Sequence, residues 1–312
     1  MQNDNLLYMI ARLYYIDKVK QNEIAKRFNL TSMSVSRYLK EAETAGIVTF
    51  NVKTPWNIEM EKSRKLCQKF NLKECTVIRS AAEDDIQQLL ADYASDYISG
   101  KMKDGISIGI SWGSTISKLV RLLPYMKVDN CRIVQLSGMF TINDYSITPQ
   151  NIMTELANKL NAQVFTLNAP LYVRSEELRN MIMQEPSNME LLEQARKCSM
   201  MIFGVSAMNN DATTIKSGII SKEDVDELRE QEAIGDVAGM YIDKHGDVCN
   251  WSKKNCFTGI PFDIISKSQD SICIAGEKNK AHVIQVAAKR GFFNTLITSE
   301  SIADALLQDR KE

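Results

Sequence analysis

Residues 21–50 read QNEIAKRFNLTSMSVSRYLKEAETAGIVTF, and this stretch decides the fold of the first part of the chain. Three apolar residues at helical spacing predict a first helix with one buried face: Ile24, Ala25 and Phe28. Ser32 can cap a second amphipathic helix, and Gly46 ends it. Residues 47–52 alternate as a strand does. Two helices joined by a tight turn predict a helix-turn-helix, and the strand predicts the wing of a winged helix.

The exposed face of the second helix carries short hydroxyls, a guanidinium, a phenol and an ammonium group. A recognition helix in the major groove uses its N-terminal residues on base edges and its cations on phosphates. Arginine can bind guanine through two hydrogen bonds. We therefore expect DNA contacts from Gln21, Thr31, Ser32, Met33, Ser34, Ser36, Arg37, Tyr38 and Lys40. The alternative is a generic helical pair packed inside a larger fold.

The segments on either side of this motif suggest where the first domain begins and ends. Residues 4–19 form a predicted amphipathic helix that would pack beneath the helix-turn-helix. Pro55 stops the predicted wing strand. We expect a DNA-binding domain over residues 1–55 and an effector and oligomerisation domain over residues 56–312.

The charge balance limits how strongly one copy can bind DNA. The chain has 312 residues with 38 Lys and Arg against 39 Asp and Glu, a formal net charge of −1. A protein devoted wholly to nucleic acid is usually basic, so any DNA-binding module is a small part of this chain. One module should bind weakly, and an oligomer would supply affinity through multivalency.

The termini and cysteines predict a cytoplasmic protein. The first residues, MQNDN, lack the basic start and apolar core of a signal peptide, and no apolar run is long enough for a membrane span. The seven cysteines are scattered without a CxxC pair, which is typical of reduced thiols. We expect no metal, no cofactor and no membrane partner.

From residue 73 onward, predicted strands and helices alternate. We expect strands at 73–78, 106–110, 131–136, 163–167, 200–205, 271–276 and 295–298. We expect helices at 57–71, 84–99, 114–123, 149–161, 176–183, 189–197, 278–290 and 299–305. Alternation with continuously apolar strands predicts a Rossmann-like, mostly parallel sheet that is covered on both faces.

Three predicted strand ends carry chemistry suited to an anionic or hydroxylated ligand, which in such sheets binds at the carboxyl edge. The first is Ser111–Thr115, where small residues and hydroxyls open a helix. The second is Ser137–Met139, and the third is Gly276–Lys280, where Lys278 would place a cation. Asp236 beside an apolar run could accept sugar hydroxyls. Each feature could also be an ordinary turn, helix start or structural carboxylate.

Several short sequence segments, in this order along the chain, resemble those of the SorC family of bacterial transcription regulators. The N-terminal ones are Leu13-Tyr14-Tyr15, residues 21–28, residues 34–42 and Gly46-Ile47-Val48. The later ones are residues 109–115, 135–138, 217–221, 233–237, 275–281 and 296–300. Together they span nearly the whole chain.

The resemblance implies a fold like glucosamine-6-phosphate deaminase and ribose-5-phosphate isomerase, without catalysis. It also implies double-stranded operator DNA and a sugar or sugar phosphate as ligands, and an oligomer, often a tetramer. Carried over by position, the resemblance implies a phosphate site formed by Gly113, Ser114, Thr115 and Lys278. It implies that Ser137 and Asp236 contact the sugar, and Gly138 follows Ser137 in the same motif.

One position departs from two branches of that family. Where the deoxyribose-phosphate branch has an imine-forming lysine, this chain has Ser137, which cannot form an imine. The glycolytic branch has an arginine there for a second phosphate. The departure favours a non-covalent ligand, with a monophosphorylated sugar or polyol preferred.

Three functions remain open at this stage. The leading one is a sugar-responsive regulator of a carbohydrate-utilisation operon. The second is a sugar-phosphate isomerase or deaminase with an accessory DNA-binding domain, although no histidine with an evident partner supports acid–base catalysis and we assign no catalytic residue. The third is an interaction module without a small ligand.

Overall fold

The computed structural model describes residues 2–49, 56–80, 85–209 and 212–308. The chain divides into two compact units, Met1–Pro55 and Trp56–Glu312. The first unit contains helices α1 (Gln2–Ala11), α2 (Gln21–Phe28) and α3 (Ser32–Thr44), with a π-helical segment at Arg12–Ile16. The two helices of the predicted helix-turn-helix are therefore present.

The turn between α2 and α3 follows from two residues with suitable backbone geometry. Asn29 ends α2 in the left-handed conformation, at φ 54°. Thr31 caps α3, because its side chain accepts the N–H of Ser34 at 3.1 Å. The cap prediction at Ser32 was wrong by one residue: Thr31 has the extended backbone that an N-cap needs, whereas Ser32 is already helical.

The core of the first unit joins all three helices. Its fully buried side chains are Leu7, Ile10, Ala11, Ile24, Ala25, Val35, Leu39 and Ala42. Helix α1 therefore packs beneath the helix-turn-helix. Residues 47 and 48 form a bend and residue 49 is irregular, so none of them lies in a strand; the rest of the predicted wing, residues 50–52, lies outside the described residues.

The second unit alternates strands and helices. Its strands are β1 (Asn57–Ile58), β2 (Glu74–Arg79), β3 (Ser107–Ile110), β4 (Arg132–Gln135), β5 (Gln163–Phe165), β6 (Met200–Phe203), β7 (Val205–Ala207), β8 (Ala233–Val237), β9 (Met240–Asp243), β10 (Asp270–Ala275) and β11 (Thr295–Ser299). Its helices are α4 (Met60–Phe70), α5 (Ile86–Ser99), α6 (Ser114–Leu122), α7 (Pro149–Leu160), α8 (Glu176–Met183), α9 (Pro186–Arg196), α10 (Thr213–Lys216), α11 (Lys222–Glu230), α12 (Phe262–Ile265), α13 (Ala281–Lys289) and α14 (Glu300–Leu307). Short 3₁₀ turns lie at Tyr145–Ile147, Lys254–Cys256 and Lys278–Lys280.

The main sheet has the strand order β1-β2-β11-β10-β6-β3-β4-β5 and is parallel except for β1. Alternate residues of β10 pack into different hydrophobic cores on the two faces of the sheet. Ile272 and Ile274 belong to one core, and Cys273 and Ala275 belong to the other. The predicted mostly parallel sheet covered on both faces is thus confirmed. Every residue of β10 is buried, as expected for a central parallel strand.

The strand order reverses direction between β3 and β6. The crossover from β3 leads to β4 on one side, whereas the chain after β6 leads to β10 on the other side. Such a switch point leaves a crevice at the carboxyl ends of the two strands, where open α/β sheets bind ligands.

A second, three-stranded antiparallel sheet, β7-β8-β9, was missed by the sequence prediction. The predicted strand at 200–205 divides at Gly204, so that β6 joins the main sheet and β7 joins the small one. A two-residue turn at Ala238 and Gly239, with φ 52° and 94°, folds β8 onto β9.

Candidate functional site

The predicted DNA-contacting residues lie at the entry and outer face of α3. Thr31, Ser32, Met33, Ser36, Arg37 and Lys40 are exposed, whereas Gln21, Ser34 and Tyr38 are partly buried. Ser32 Oγ donates a hydrogen bond to Asn22 Oδ1 at 2.7 Å, which ties the start of α3 to α2. The exposed set is suited to hydrogen bonding along a groove.

Arg37 is a cation on this face whose side chain contacts two neighbouring residues of α3. Its side chain is 66% exposed, and its Nε lies 3.6 Å from Glu41 Oε1 one turn along α3. Its guanidinium carbon also lies 5.3 Å from the centroid of the Tyr38 ring. These weak, solvent-exposed contacts orient the guanidinium and leave its donors accessible to DNA.

A cleft lies at the switch point between β3 and β6 in the second unit. Its walls come from the ends of β3, β6 and β10, from the first turn of α6, and from the hairpin of the small sheet. The lining residues are Ser111, Trp112, Gly113, Ser114, Thr115, Ile116, Gly204, Val205, Ser206, Thr213, Asp236, Ala238, Gly239, Ile274 and Lys280.

The wall of the cleft formed by the start of α6 is suited to hold an anion. Gly113 precedes α6 at φ 126°, a conformation that other residues rarely adopt, and it makes no side-chain cap. Ser114 and Thr115 begin the helix beside it. The N–H groups of a first helical turn carry partial positive charge, so this wall favours a phosphate or carboxylate.

Lys280 supplies a cation to the cleft. Its side chain is 19% exposed and lies 2.8 Å from Glu277 Oε2. The predicted residue Lys278 is exposed and is not among the lining residues. The 3₁₀ turn at 278–280 explains the difference. In such a turn, the side chains of residues i and i+2 are about 240° apart around the helix axis, so Lys278 and Lys280 point in different directions.

Asp236 lies on β8 at the hairpin side of the cleft and is buried. Its Oδ1 accepts the N–H of Gly239 at 3.0 Å, and its Oδ2 has no hydrogen-bond partner among the described residues. Burial raises the pKa of Asp236 to about 6, while the Gly239 hydrogen bond and the charge of Lys280 act in the opposite direction. Leaving a buried carboxylate oxygen without a hydrogen bond destabilises the folded state, so this oxygen is suited to accept a hydrogen bond from a ligand hydroxyl.

A second lining residue also has an unsatisfied polar atom. Trp112 is 9% exposed, and its indole Nε1 has no acceptor in the part of the chain that the structure describes. Its ring packs edge-on against Phe140, with centroids 4.7 Å apart. A donor and an acceptor without partners in one cleft together indicate a polar ligand.

Ser137 and Gly138 lie outside the cleft lining. Ser137 is fully buried, and its Oγ has no hydrogen-bond partner within residues 2–49, 56–80, 85–209 and 212–308. Gly138 allows a close approach of the chain, because a Cβ there would lie 2.6 Å from the carbonyl oxygen of Pro170. The structure therefore brings together Gly113, Ser114, Thr115 and Asp236, adds Lys280, and does not bring Ser137, Gly138 or Lys278 to the cleft walls.

Sequence reasoning found Asp236 but missed the other lining residues of the small sheet, including Ser206 and Gly239, because the sheet itself was missed. Lys280 belongs to the same sequence motif as Lys278, and of the two only Lys280 lines the cleft. No described helix has the length and apolar character needed to cross a bilayer. Among the described residues, no group of three or more His, Cys, Asp and Glu could hold a metal ion.

A helix-turn-helix unit in the same chain as an α/β unit with a polar cleft at its switch point defines a class of protein, the ligand-responsive DNA-binding regulators. Residues 56–308 match the family model described as "Putative sugar-binding domain". The chain is 26% identical over 304 residues to the deoxyribonucleoside regulator of Bacillus subtilis (strain 168), covering 96% of both chains. It is 30% identical over 305 residues to the transcriptional regulator LsrR of Escherichia coli (strain K12), covering 96% of this chain and 93% of that protein.

The fold agrees with these relationships. The full-length sorbitol operon regulator SorC from Klebsiella pneumoniae superposes with a TM-score of 0.73 at 23% identity, over 97% of this chain and 98% of that one. The chain belongs to the SorC family of transcriptional regulators with a sugar-binding domain. It is a DNA-binding transcriptional regulator with a sugar effector, as the resemblance in its sequence indicates.

Proposed function

We propose that residues 1–55 bind the operator of a carbohydrate-utilisation operon and that residues 56–312 bind a monophosphorylated sugar or polyol that changes operator affinity. The observation that carries the proposal is the polarity of the cleft. The cleft is lined by the first turn of α6 and by Lys280, which suit a phosphate, and by Asp236, whose unpartnered Oδ2 suits a hydroxyl. The relatives' names, a deoxyribonucleoside regulator and a sorbitol operon regulator, support a carbohydrate-derived ligand.

The ligand is held without a covalent bond. Among the described residues, Lys280 is the one lysine that lines the cleft, and it is paired with Glu277. Ser137 cannot form an imine, and its hydroxyl is buried outside the lining. One cation and one helix N-terminus match one phosphate better than two.

The chain functions as a homo-oligomer, with a tetramer as the favoured state. The DNA-binding unit presents one recognition helix per chain, and the chain as a whole has a net charge of −1. Joining several such modules raises affinity for a repeated or palindromic operator by effective concentration.

One observation favours a second candidate, a sugar-phosphate isomerase or deaminase. A buried carboxylate with a pKa of about 6, Asp236, has the properties of a general base. The names of the relatives, all transcriptional regulators, support the non-enzymatic function. Turnover of any sugar phosphate by the purified protein, abolished in Asp236→Asn, would favour the enzyme.

The effector proposal is tested by thermal unfolding against matched pairs of sugars or polyols and their monophosphates. A ligand at a hundredfold excess over its Kd stabilises the folded state by about 2.7 kcal/mol. We expect a phosphorylated member to raise the unfolding temperature and its unphosphorylated partner to have a smaller effect. Equal effects within every pair would contradict the phosphate assignment.

The DNA proposal is tested by selecting bound sequences from a random duplex library and then comparing Arg37→Ala with Arg27→Ala. Both arginines are exposed, and Arg27 lies on α2. Loss of a base contact should cost about 1–3 kcal/mol and relax sequence preference, whereas loss of a phosphate contact weakens binding to all sequences alike. Unchanged preference in Arg37→Ala would remove Arg37 from the readout.

A further inference from the structure

Helix α5 lies against the loop that carries the cation of the cleft. Gly276, which opens that loop, packs so closely on α5 that a Cβ there would lie 2.7 Å from Leu90 Cδ1. The side-chain amide of Gln87 donates a hydrogen bond to Glu277 Oε1, and the other oxygen of Glu277 lies 2.8 Å from Lys280 Nζ. Two polar contacts therefore join the first turn of α5 to Lys280.

The same end of α5 also contacts the helix that begins at the cleft. Asp85 caps α5, because its Oδ1 accepts the N–H of Gln88 at 3.1 Å. Its Oδ2 lies 2.5 Å from Lys118 Nζ on α6, the helix whose first turn lines the cleft. Both elements assigned to the phosphate, α6 and the loop of Lys280, are thus connected to the start of α5.

Further along, α5 holds the residue that begins the second unit. Trp56 is the first residue of that unit and follows Pro55, the last residue of the first unit. Its indole Nε1 donates a hydrogen bond to Asp92 Oδ2 at 3.3 Å, and its ring packs edge-on against Tyr93 with centroids 5.3 Å apart. Both partners belong to α5, so this helix fixes the side chain of Trp56.

The contacts of Gln87 and Asp92 lie close together on one packed helix. The two residues are five positions apart, which is a rise of about 7.5 Å along the helix axis. The buried apolar residues of α5 are Leu90, Ala91, Ala94 and Ile98. Packed helices move as bodies, by about 1–2 Å in known switching transitions. A displacement at Gln87 therefore reaches Asp92.

We propose that α5 transmits occupancy of the cleft to Trp56 and that Gln87 is the positioning residue at the cleft end of this route. The inference rests on the proposed phosphate-binding function and names how that site is coupled to the rest of the chain. A phosphate beside Lys280 attracts the ammonium group and repels the carboxylate of Glu277. The hydrogen bond from Gln87 passes this change to α5.

Trp56 is the residue at which such a displacement matters for DNA binding. An effector changes operator affinity only if it binds two states of the protein with different affinity. The two states differ in whether Lys280 is paired with Glu277 alone or also with a phosphate. Because Trp56 directly follows the DNA-binding unit in the chain, a shift of Trp56 moves the point from which that unit is attached.

The test is fluorine NMR of the full-length protein labelled with 5-fluorotryptophan, with inorganic phosphate as the probe. The chain contains three tryptophans, of which Trp112 lines the cleft and Trp56 lies at the other end of the route. Trp56→Phe and Trp251→Phe assign the signals. We expect phosphate to shift the Trp112 and Trp56 signals with the same midpoint, and sodium chloride at equal ionic strength to shift them several-fold less.

Gln87→Ala interrupts the route without changing a charge, so a response carried by the electric field of the phosphate alone would survive it. At phosphate concentrations that saturate the Trp112 signal, we expect the Trp56 shift to fall several-fold in this variant. Gln88→Ala is the matched control, because it removes an exposed glutamine side chain from the same turn of α5. It should leave both shifts unchanged.

A second pair of variants tests the contact of α5 with Trp56. Asp92→Ala removes the acceptor of the indole N–H and should reduce the Trp56 response several-fold, whereas Asp92→Asn keeps an acceptor oxygen and should restore it. A full Trp56 response in Gln87→Ala or Asp92→Ala overturns the inference. A parent protein in which only Trp112 responds overturns the inference and leaves the phosphate site standing. If Trp112 does not respond either, the phosphate site fails together with the inference.

Discussion

Lys278 and Lys280 differ by two residues in sequence, yet only Lys280 lines the cleft. We expect Lys280→Met to weaken binding of a phosphorylated effector by about 10- to 100-fold, because a hydrogen bond to a charged group contributes about 1.5–3 kcal/mol. Lys278→Met, which removes an exposed cation of the same type, should change affinity less than about twofold. Calorimetric titration of both variants measures the difference.

Lys280→Arg is the rescue variant for this pair, since it keeps the charge near Glu277 and the helix end. Partial recovery of affinity supports a direct ionic role. If Lys278→Met reduces effector affinity more than Lys280→Met does, the phosphate binds outside the cleft that Lys280 lines.

Asp236 makes stability depend on pH in a direction unusual for a carboxylate. Its pKa rises from the ordinary 3.8 to about 6, so the folded state holds the proton more tightly than the unfolded chain. The stabilising contribution is therefore complete below about pH 4 and is lost as the pH rises to about 6. A shift of this size corresponds to roughly 3 kcal/mol as an upper figure.

Asp236→Asn should remove that loss, because the amide oxygen can still accept the Gly239 N–H while no charge is buried. We expect the variant to unfold at a higher temperature than the parent at pH 7, with a smaller difference at pH 4. It should also lose effector affinity. Parallel pH profiles of the two proteins would show that Asp236 does not titrate in this range.

At the scale of elements, α3 depends on its cap. Thr31 accepts the Ser34 N–H and also lies at the expected DNA surface, so its two roles must be separated. Thr31→Ala should destabilise the first turn of α3 by about 1 kcal/mol, and Thr31→Ser should restore it. Amide hydrogen exchange at Ser34 measures this local effect in the full chain.

Ser36→Ala is the matched control, because it removes an exposed hydroxyl from the interior of the same helix. It should leave exchange at Ser34 unchanged. Faster exchange in Ser36→Ala than in Thr31→Ala would contradict the cap assignment.

At the scale of the whole molecule, effector and operator must influence each other equally. If the effector changes operator affinity by some factor, the operator changes effector affinity by the same factor, typically 5- to 150-fold. The effector is titrated calorimetrically with and without the selected operator duplex. If the effector changes DNA binding but its own affinity is the same with and without the duplex, its effect does not arise from coupled binding of effector and operator to the same protein.

The helix-turn-helix could be predicted from sequence because its determinants are local. The apolar spacing of Ile24, Val35 and Leu39 and the turn after Phe28 act within a few residues, and the helices follow them. The alternation of strands and helices after residue 73 is local in the same sense. The error at Ser32 is one residue, which is within the variation of helix ends.

The small sheet and the cleft required the tertiary structure. Asp236 and Gly113 are separated by more than a hundred residues, and the order of β3, β6 and β10 in the sheet brings them to one cleft. Lys280 was distinguished from Lys278 by a 3₁₀ turn that apolar periodicity does not reveal. Sequence by itself determined the class of elements, their order and the family; the folded chain decided which polar groups meet, because burial and strand order are properties of contacts between distant residues.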